Sequence, residues 1–328
     1  MTTTGSDYEA LILKEKNFFS GEAPEASIPP IFTYWASRYL SPRLTQMFGS
    51  PVIEEIFANE ITRVNLHPKS PLRIISLGSG ECSLERDIAK ILIRYGVPFR
   101  MICTDVSPAM LDAGRDLVGA AGIQQHFEFV ECDVNAKLPG GAFDAVIANH
   151  CLHHFVNLEY IFDWVKQAIA EADGCFVVSD MIGRNGHMRW PEALVYVENF
   201  WDILPSSKKY DWLNGVQRDS YVNFDCAAGA LEGIRAQDIL PIMVEKFNFE
   251  RFVGYGNLPD IFIDRMYGPN FSPDTPADVR LIDLLEQLNT DLTMTGAIKP
   301  TMMFATVRVS EAACKYDVVS PQAALRRP

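Results

Sequence analysis

Leu72-Arg-Ile-Ile-Ser-Leu-Gly-Ser-Gly-Glu-Cys82 decides the fold. Ile74, Ile75 and Leu77 form a short apolar run rich in β-branched residues, the pattern of a strand covered on both faces. Gly78 and Gly80 allow a tight turn and close approach of a ligand to the backbone. Beyond the turn, Leu84, Ile88, Ile91, Leu92 and Tyr95 recur at helical spacing, with Gly96 placed to end the helix and Pro98 just after it. Strand, glycine turn and helix make the ligand corner of an open α/β sheet.

The rhythm continues downstream. Phe99–Asp105 reads as a second strand, and Ser107 caps a following helix with Pro108 in its first turn. Phe127–Asp133, Phe143–His150 and Cys175–Asp180 read as strands three to five, with a helix from Leu158 to Ile169 before the fifth. Such alternation predicts a mostly parallel sheet with right-handed crossovers and helices on both faces. Residues 183–233 carry Trp190, Tyr196, Phe200, Trp201, Tyr210, Trp212, Tyr221 and Phe224 without a clear strand, and are expected to form a mostly helical cap. A helix over Asp238–Phe247, a sixth strand at Phe252–Tyr255, a second excursion over 257–300 and a seventh strand at Thr301–Val309 complete the expected sheet, leaving a frayed tail from 311. Ahead of the sheet, Phe32–Leu40 and Pro51–Ile61 read as helices broken at Ser41-Pro42 and Gly49-Ser-Pro51, able to fold over the strand ends and bring Tyr34, Trp35 and Arg38 to a ligand or to the core.

Composition narrows the partners. The 328 residues hold 29 basic and 42 acidic side chains, a formal net charge of −13, which argues against nucleic acid and against an anionic membrane. The seven cysteines are dispersed, as suits reduced thiols in the cytoplasm, and no leader or membrane-spanning run is read from the sequence.

Two acids follow the glycine turn at strand ends, Asp105 and Asp133. An acid at the end of the second strand takes ribose hydroxyls in dinucleotide and methyl-donor sites alike. The turn separates the two: Gly-x-Gly-x-x-Gly would need glycine where Ser83 stands, and Glu81 at the helix N-terminus would repel a pyrophosphate. A ligand with a sulfonium and an ammonium group would accept Glu81.

In these features the chain resembles the class I S-adenosylmethionine-dependent methyltransferases. Gly78-Ser-Gly-Glu-Cys is similar to their first motif, Asp105-Val-Ser-Pro-Ala-Met to their acidic strand end, Cys132-Asp-Val to the adenine-side segment, and Phe143–Phe155 to the fourth strand and its turn. The resemblance is close over 72–182 and looser over 234–309. It implies an open, mostly parallel, seven-stranded Rossmann-like α/β sheet, with a helical preface or lid at 1–70, a methyltransferase domain at 71–310 with cap insertions at 183–233 and 257–300, and a tail at 311–328. It also implies S-adenosyl-L-methionine as cofactor, held by Gly78, Ser79, Gly80, Glu81, Asp105, Val106, Met110, Asp133, Val134, Asn149 and His150. Three departures stand out. Ser76 occupies the position of the usual acid near the methionine amine, where Glu81 is expected to compensate. Cys82 replaces the third glycine, and the Pro-Gly-Gly before the fifth strand is reduced to Asp173-Gly174. The Asn/Asp-Pro-Pro-aromatic tetrad of enzymes that methylate nucleic-acid bases is absent, so a small-molecule acceptor is expected.

Methyl transfer needs alignment and often a base. His153, His154 and His187 are the candidates, with packing of the turn as the competing role for the first two. Arg184 and Arg189 suit an acidic acceptor, with Trp190 as a wall, or else form a solvated loop. Glu232 and Arg235 read as a surface pair. His150-Cys-Leu-His-His packs its ligand-type residues into one tight turn with no second pair in sight, so no metal centre is expected. Two alternatives stay open: a nicotinamide-dependent oxidoreductase on the same sheet, and a non-catalytic S-adenosylmethionine-binding protein.

Overall fold

The computed structural model describes residues 5–19, 27–64 and 70–326. The chain begins with helix α1 (Gly5–Phe19), which the sequence reading did not foresee. Next, α2 (Pro30–Trp35) runs through one wide π-turn at Ala36–Leu40 into α3 (Ser41–Phe48), and α4 (Ile53–Val64) follows. The expected break at Ser41-Pro42 does not occur. Pro42 has no N–H to give to the carbonyl four residues back, and the irregularity is taken up in the π-turn that ends at Leu40. The Gly49 break is real: Gly49 sits at φ 84° and its N–H closes α3 on the Thr45 carbonyl.

The sheet then builds in the foreseen order. Its first half contains β1 (Leu72–Leu77), α5 (Ser83–Arg94), β2 (Phe99–Asp105), α6 (Pro108–Ala120) and β3 (Phe127–Glu131). The second half adds β4 (Ala145–Asn149), α7 (Leu158–Ala170) and β5 (Cys175–Met181). The cap follows, with α8 (Pro191–Ile203) and a two-stranded ribbon, β6 (Tyr210–Asp211) with β7 (Val216–Gln217), so it is less helical than expected. Then come α9 (Ala236–Lys246), β8 (Asn248–Tyr255), α10 (Asp260–Ile263), α11 (Pro276–Met294), β9 (Met302–Arg308), β10 (Lys315–Tyr316) and α12 (Pro321–Ala324).

Among the described residues the main sheet has eight strands rather than seven, in the order β10-β8-β9-β5-β4-β1-β2-β3. β1 to β5 are parallel, and β9 lies antiparallel between β5 and β8. The eighth strand is β10, two residues that pair with Arg251 and Phe252 of β8. It comes from the segment expected to fray. That segment packs: Val319 and Ala324 are buried, and Arg43 pairs with Asp317. A two-residue strand carries no periodicity, so its sequence gave no sign of it.

Ile74, Ile75 and Leu77 are fully buried, as a strand covered on both faces requires, each worth about 1.5–3 kcal/mol. One face of the sheet packs on α7 and α9, the other on α3, α4 and α5. A third apolar cluster joins α2, α8, α10 and α11 beneath the cap. Tyr34 and Trp35 belong to this third cluster, bonded to Asp283 and Glu286 of α11 at 2.7 and 2.8 Å, and Arg38 pairs with Asp283. The preface aromatics are therefore core and not ligand contacts.

Candidate active site

The chain winds outward from β1 through β2 to β3, then returns to β4 on the other side of β1. This reversal opens a crevice at the C-terminal ends of β1 and β4. The glycine turn lies there. Gly78 adopts φ 58°, and a Cβ on it would sit 2.8 Å from the Cβ of Cys151, so only glycine fits. Cys151 holds the two strand ends together, its thiol donating to the Leu77 carbonyl at 3.0 Å.

Cys82, standing where the third glycine was expected, takes a left-handed φ of 60° at the start of α5. Room for its side chain comes from α6: a Cβ on Gly114 would lie 3.0 Å from the Cys82 sulfur. The glycine has in effect moved from one helix to its neighbour. Ser76, where the acid was expected, has a carboxyl behind it. Ser76 donates to Glu85 of α5 at 2.5 Å, and the other oxygen of this fully buried carboxyl has no partner. Burial pushes Glu85 up to about 7, with the Ser76 hydrogen bond acting against it. Glu81, expected to compensate, points to solvent and accepts from Ser83 at 2.5 Å.

Asp105 closes the corner. Its carboxylate accepts from the Gly80 N–H at 2.9 Å and the Ser107 N–H at 2.8 Å, which fixes the turn against the end of β2. Burial raises its pKa despite these bonds. Across the mouth, α1 brings Ile12 and Glu15 to the same cleft, and the Tyr8 hydroxyl donates to Asp133 at 2.9 Å. Burial and the Asp133 carboxylate both raise the Tyr8 pKa, so it stays a neutral donor. The cleft has a cavity volume of about 200 Å³ and opens to solvent. Three carboxylates line it, from Glu15, Asp105 and Asp133, and no lysine or arginine does among the described residues.

Of the residues expected to hold a cofactor, Gly78, Gly80, Asp105, Val106, Met110, Asp133, Val134 and His150 line this cleft. Ser79, Glu81 and Asn149 do not. Ser79 bonds the Thr104 carbonyl through its N–H at 2.9 Å, and Asn149 ends β4 with its side-chain oxygen buried and unpartnered. The sequence reading missed Ile12, Glu15, Asn135, Phe155 and Leu231 as lining residues. The alternation of Tyr8, Ile12 and Glu15 along one face of α1 was the available signal, hidden because α1 was never read as a helix.

The three candidate bases converge on a residue expected to lie at the surface, Glu232. His187 Nε2 is 2.7 Å from its carboxylate, His153 Nε2 3.5 Å and His154 Nε2 3.4 Å. Arg235 pairs instead with Glu159 and Asp238. His153 is buried, and its Nδ1 lies 2.6 Å from Asp180, which is wholly buried and also accepts from the Cys151 and Leu152 amides. Burial alone would lower His153, but the charges and hydrogen bonds of Asp180 and Glu232 outweigh it and carry it up to about 10. Glu232 is held well below the usual carboxylate range: its own burial opposes this, and the bonds from His153 and His187 overcome it. His154 is the one of the three that lines the cleft, with Nδ1 2.9 Å from Glu15. His150 lines it too, and burial lowers its pKa.

The loop after β5 turns its cations inward. Arg189 is buried, bonding the carbonyls of Asn257 and His187 and the Asp260 carboxylate at 3.1–3.2 Å. Arg184 lies over Trp190 and donates to the Arg189 carbonyl. Arg189 ties this loop to the segment after β8, while Arg184 packs within the loop.

Residues 75–176 match the family model described as a methyltransferase domain. A polyketide methyltransferase of Ustilaginoidea virens, ustM, is 25% identical over 146 residues, covering 44% of this chain and 32% of that protein. The non-reducing polyketide synthase esdpA of Penicillium shearii is 27% identical over 92 residues, 28% of this chain and 4% of that one. The chain thus spans about a third of the first relative and a small fraction of the second. A solved geranyl diphosphate C-methyltransferase of Streptomyces coelicolor aligns over 94% of this chain and 98% of its own, with a TM-score of 0.44 and 11% identity. The matched segment starts within β1, carries the glycine turn and ends within β5, so it includes the turns after β1 and β4 that border the crevice. Over residues 75–176, then, the chain carries a methyltransferase domain.

Proposed function

We propose that the protein transfers the methyl group of S-adenosylmethionine to a small-molecule acceptor of polyketide type. The charge of the cleft carries this reading. Three carboxylates, with no lysine or arginine among the described lining residues, suit a nucleoside that carries a sulfonium and an ammonium group, and disfavour the pyrophosphate of a nicotinamide dinucleotide. The Gly80 N–H, which a pyrophosphate would need, is already given to Asp105. The acceptor class is suggested by the two curated relatives, one a polyketide methyltransferase and the other a polyketide synthase.

The residues present fit the cofactor. Asp105 keeps lone pairs for ribose hydroxyls, Asp133 and Val134 border the adenine side, and the bare backbone of Gly78 leaves room beside Cys151. Behind Ser76, Glu85 places a buried carboxyl, one oxygen of which has no partner. The bound cofactor supplies an activated methyl group whose sulfur leaves with the bonding pair. What remains for the protein is alignment, exclusion of water and removal of one proton. α1 covers the cleft. His154 is positioned as the proton acceptor, set between Glu15 and Glu232. His153 and His187 act through Glu232 as positioning residues, and Asp180 fixes the His153 ring.

Incubation with a trideuteromethyl donor and a panel of phenolic and β-ketone acceptors, read by mass spectrometry, tests the reading. A labelled product that disappears in His154→Ala supports it. Absence of label on every acceptor, with the donor bound normally, would favour the non-catalytic alternative.

A further inference from the structure

We propose that His153, His187 and Glu232 form a binding site for one divalent transition-metal ion of the zinc class. Their ligand atoms all lie within 4.8 Å of one another, on three separate segments. His153 follows β4, His187 follows β5, and Glu232 precedes α9. The sequence argument against a metal rested on the want of a second group of ligands near the His150–His154 turn; the fold supplies it from residues 34 and 79 positions beyond His153.

Three further observations point the same way. Asp180 holds Nδ1 of His153 at 2.6 Å and so turns Nε2 toward the cluster. A carboxylate behind a ligating histidine is the usual support of such sites. His187 takes a left-handed φ of 57°, a conformation costly for a residue with a side chain and met most often at functional sites. Gly233, next to Glu232, makes space for that ring: a Cβ there would lie 2.9 Å from His187 Cε1. In a tetrahedral site with bonds of about 2.0–2.1 Å, ligand atoms stand roughly 3.3 Å apart. The 3.5 Å between His153 Nε2 and Glu232 Oε1 already matches this. The 2.7 Å between His187 Nε2 and the same oxygen needs a small rotation of Glu232, whose side chain is 40% exposed and free to make it. Two imidazoles and one carboxylate are a ligand set that zinc accepts, with an open fourth position. His154, 3.4 Å from the other oxygen of Glu232, borders that position.

The test uses the untagged full chain, stripped with a chelator and titrated with Zn2+ alone against a chromophoric competitor. One equivalent should bind, and His187→Ala and Glu232→Gln should each weaken it at least tenfold. His126→Ala, far from the cluster beside Phe99, should leave it unchanged. Thermal unfolding of the metal-free variants shows whether each is folded, and Glu232→Gln serves if His187→Ala is not. No saturable equivalent, or equal affinity in folded variants and wild type (an adventitious ion only), overturns the site. Calorimetric binding of S-adenosylmethionine to the same samples is independent of this outcome, so loss of one reading leaves the other standing.

Discussion

The glycine corner and the histidine cluster meet at the turn after β4, yet they are built in opposite ways. The corner comes from residues 76–155, in the order the chain presents them, each at the end of a regular strand or the start of a helix. The cluster draws on α1, the turns after β4 and β5, and the turn before α9, joining Glu15 to Glu232 across most of the chain. Local geometry fixes the first, and long-range charge pairing fixes the second. The corner should therefore fail through sterics and single hydrogen bonds, and the cluster through loss of a charge partner.

The largest effect is expected at the cluster. Asp180→Asn removes the carboxylate paired with the buried His153 and should cost about 3–5 kcal/mol of stability, read by denaturant unfolding. A change under 1 kcal/mol would show that the pair does not carry the turn. The same pair predicts a pH trend. His153 is raised in the folded state from its ordinary 6.5 to about 10, so its contribution is fully present below about 6.5 and is lost as pH rises toward 10. Stability that stays level over that range relative to Asp180→Asn would contradict the assignment.

At the corner, Gly78→Ala meets Cys151 at 2.8 Å and a strained φ together, and should abolish donor binding while costing about 1–3 kcal/mol. Asp105→Ala should weaken donor binding by about tenfold or more; unchanged affinity would mean the ribose lies elsewhere. Glu85→Gln separates stability from binding. A buried carboxyl raised to about 7 loses stability as pH rises from about 4.5 through 7, so the amide should raise the melting temperature at pH 8 and leave it level at pH 4. Donor affinity should fall in the same variant. The smallest effect belongs to Tyr8→Phe, which removes one hydrogen bond to Asp133 and should weaken donor binding a few-fold.

The corner was legible because its signals are local. Ile74, Ile75, Gly78 and Asp105 sit within one strand-turn-helix unit and the strand that follows it, and periodicity and turn chemistry act over just such distances. The two departures also had local causes that the sequence concealed. Nothing at Gly114 says that it admits Cys82, and nothing at Glu85 says that it answers Ser76, until α5 and α6 are packed side by side. The cluster was half legible. His153 and His154 announce themselves, while Glu232 next to Arg235 reads as a surface pair until the fold gives Arg235 to Glu159. α1 and β10 were missed because a weakly amphipathic helix and a two-residue strand have too little pattern of their own.

Calorimetry of the chain with S-adenosylmethionine, its demethylated product and NAD tests the central claim most directly, that a cleft of carboxylates selects a sulfonium nucleoside over a dinucleotide. Saturable binding of the first two at one per chain, with no heat from NAD, is the predicted result. Tight NAD binding with no response to the other two would contradict it.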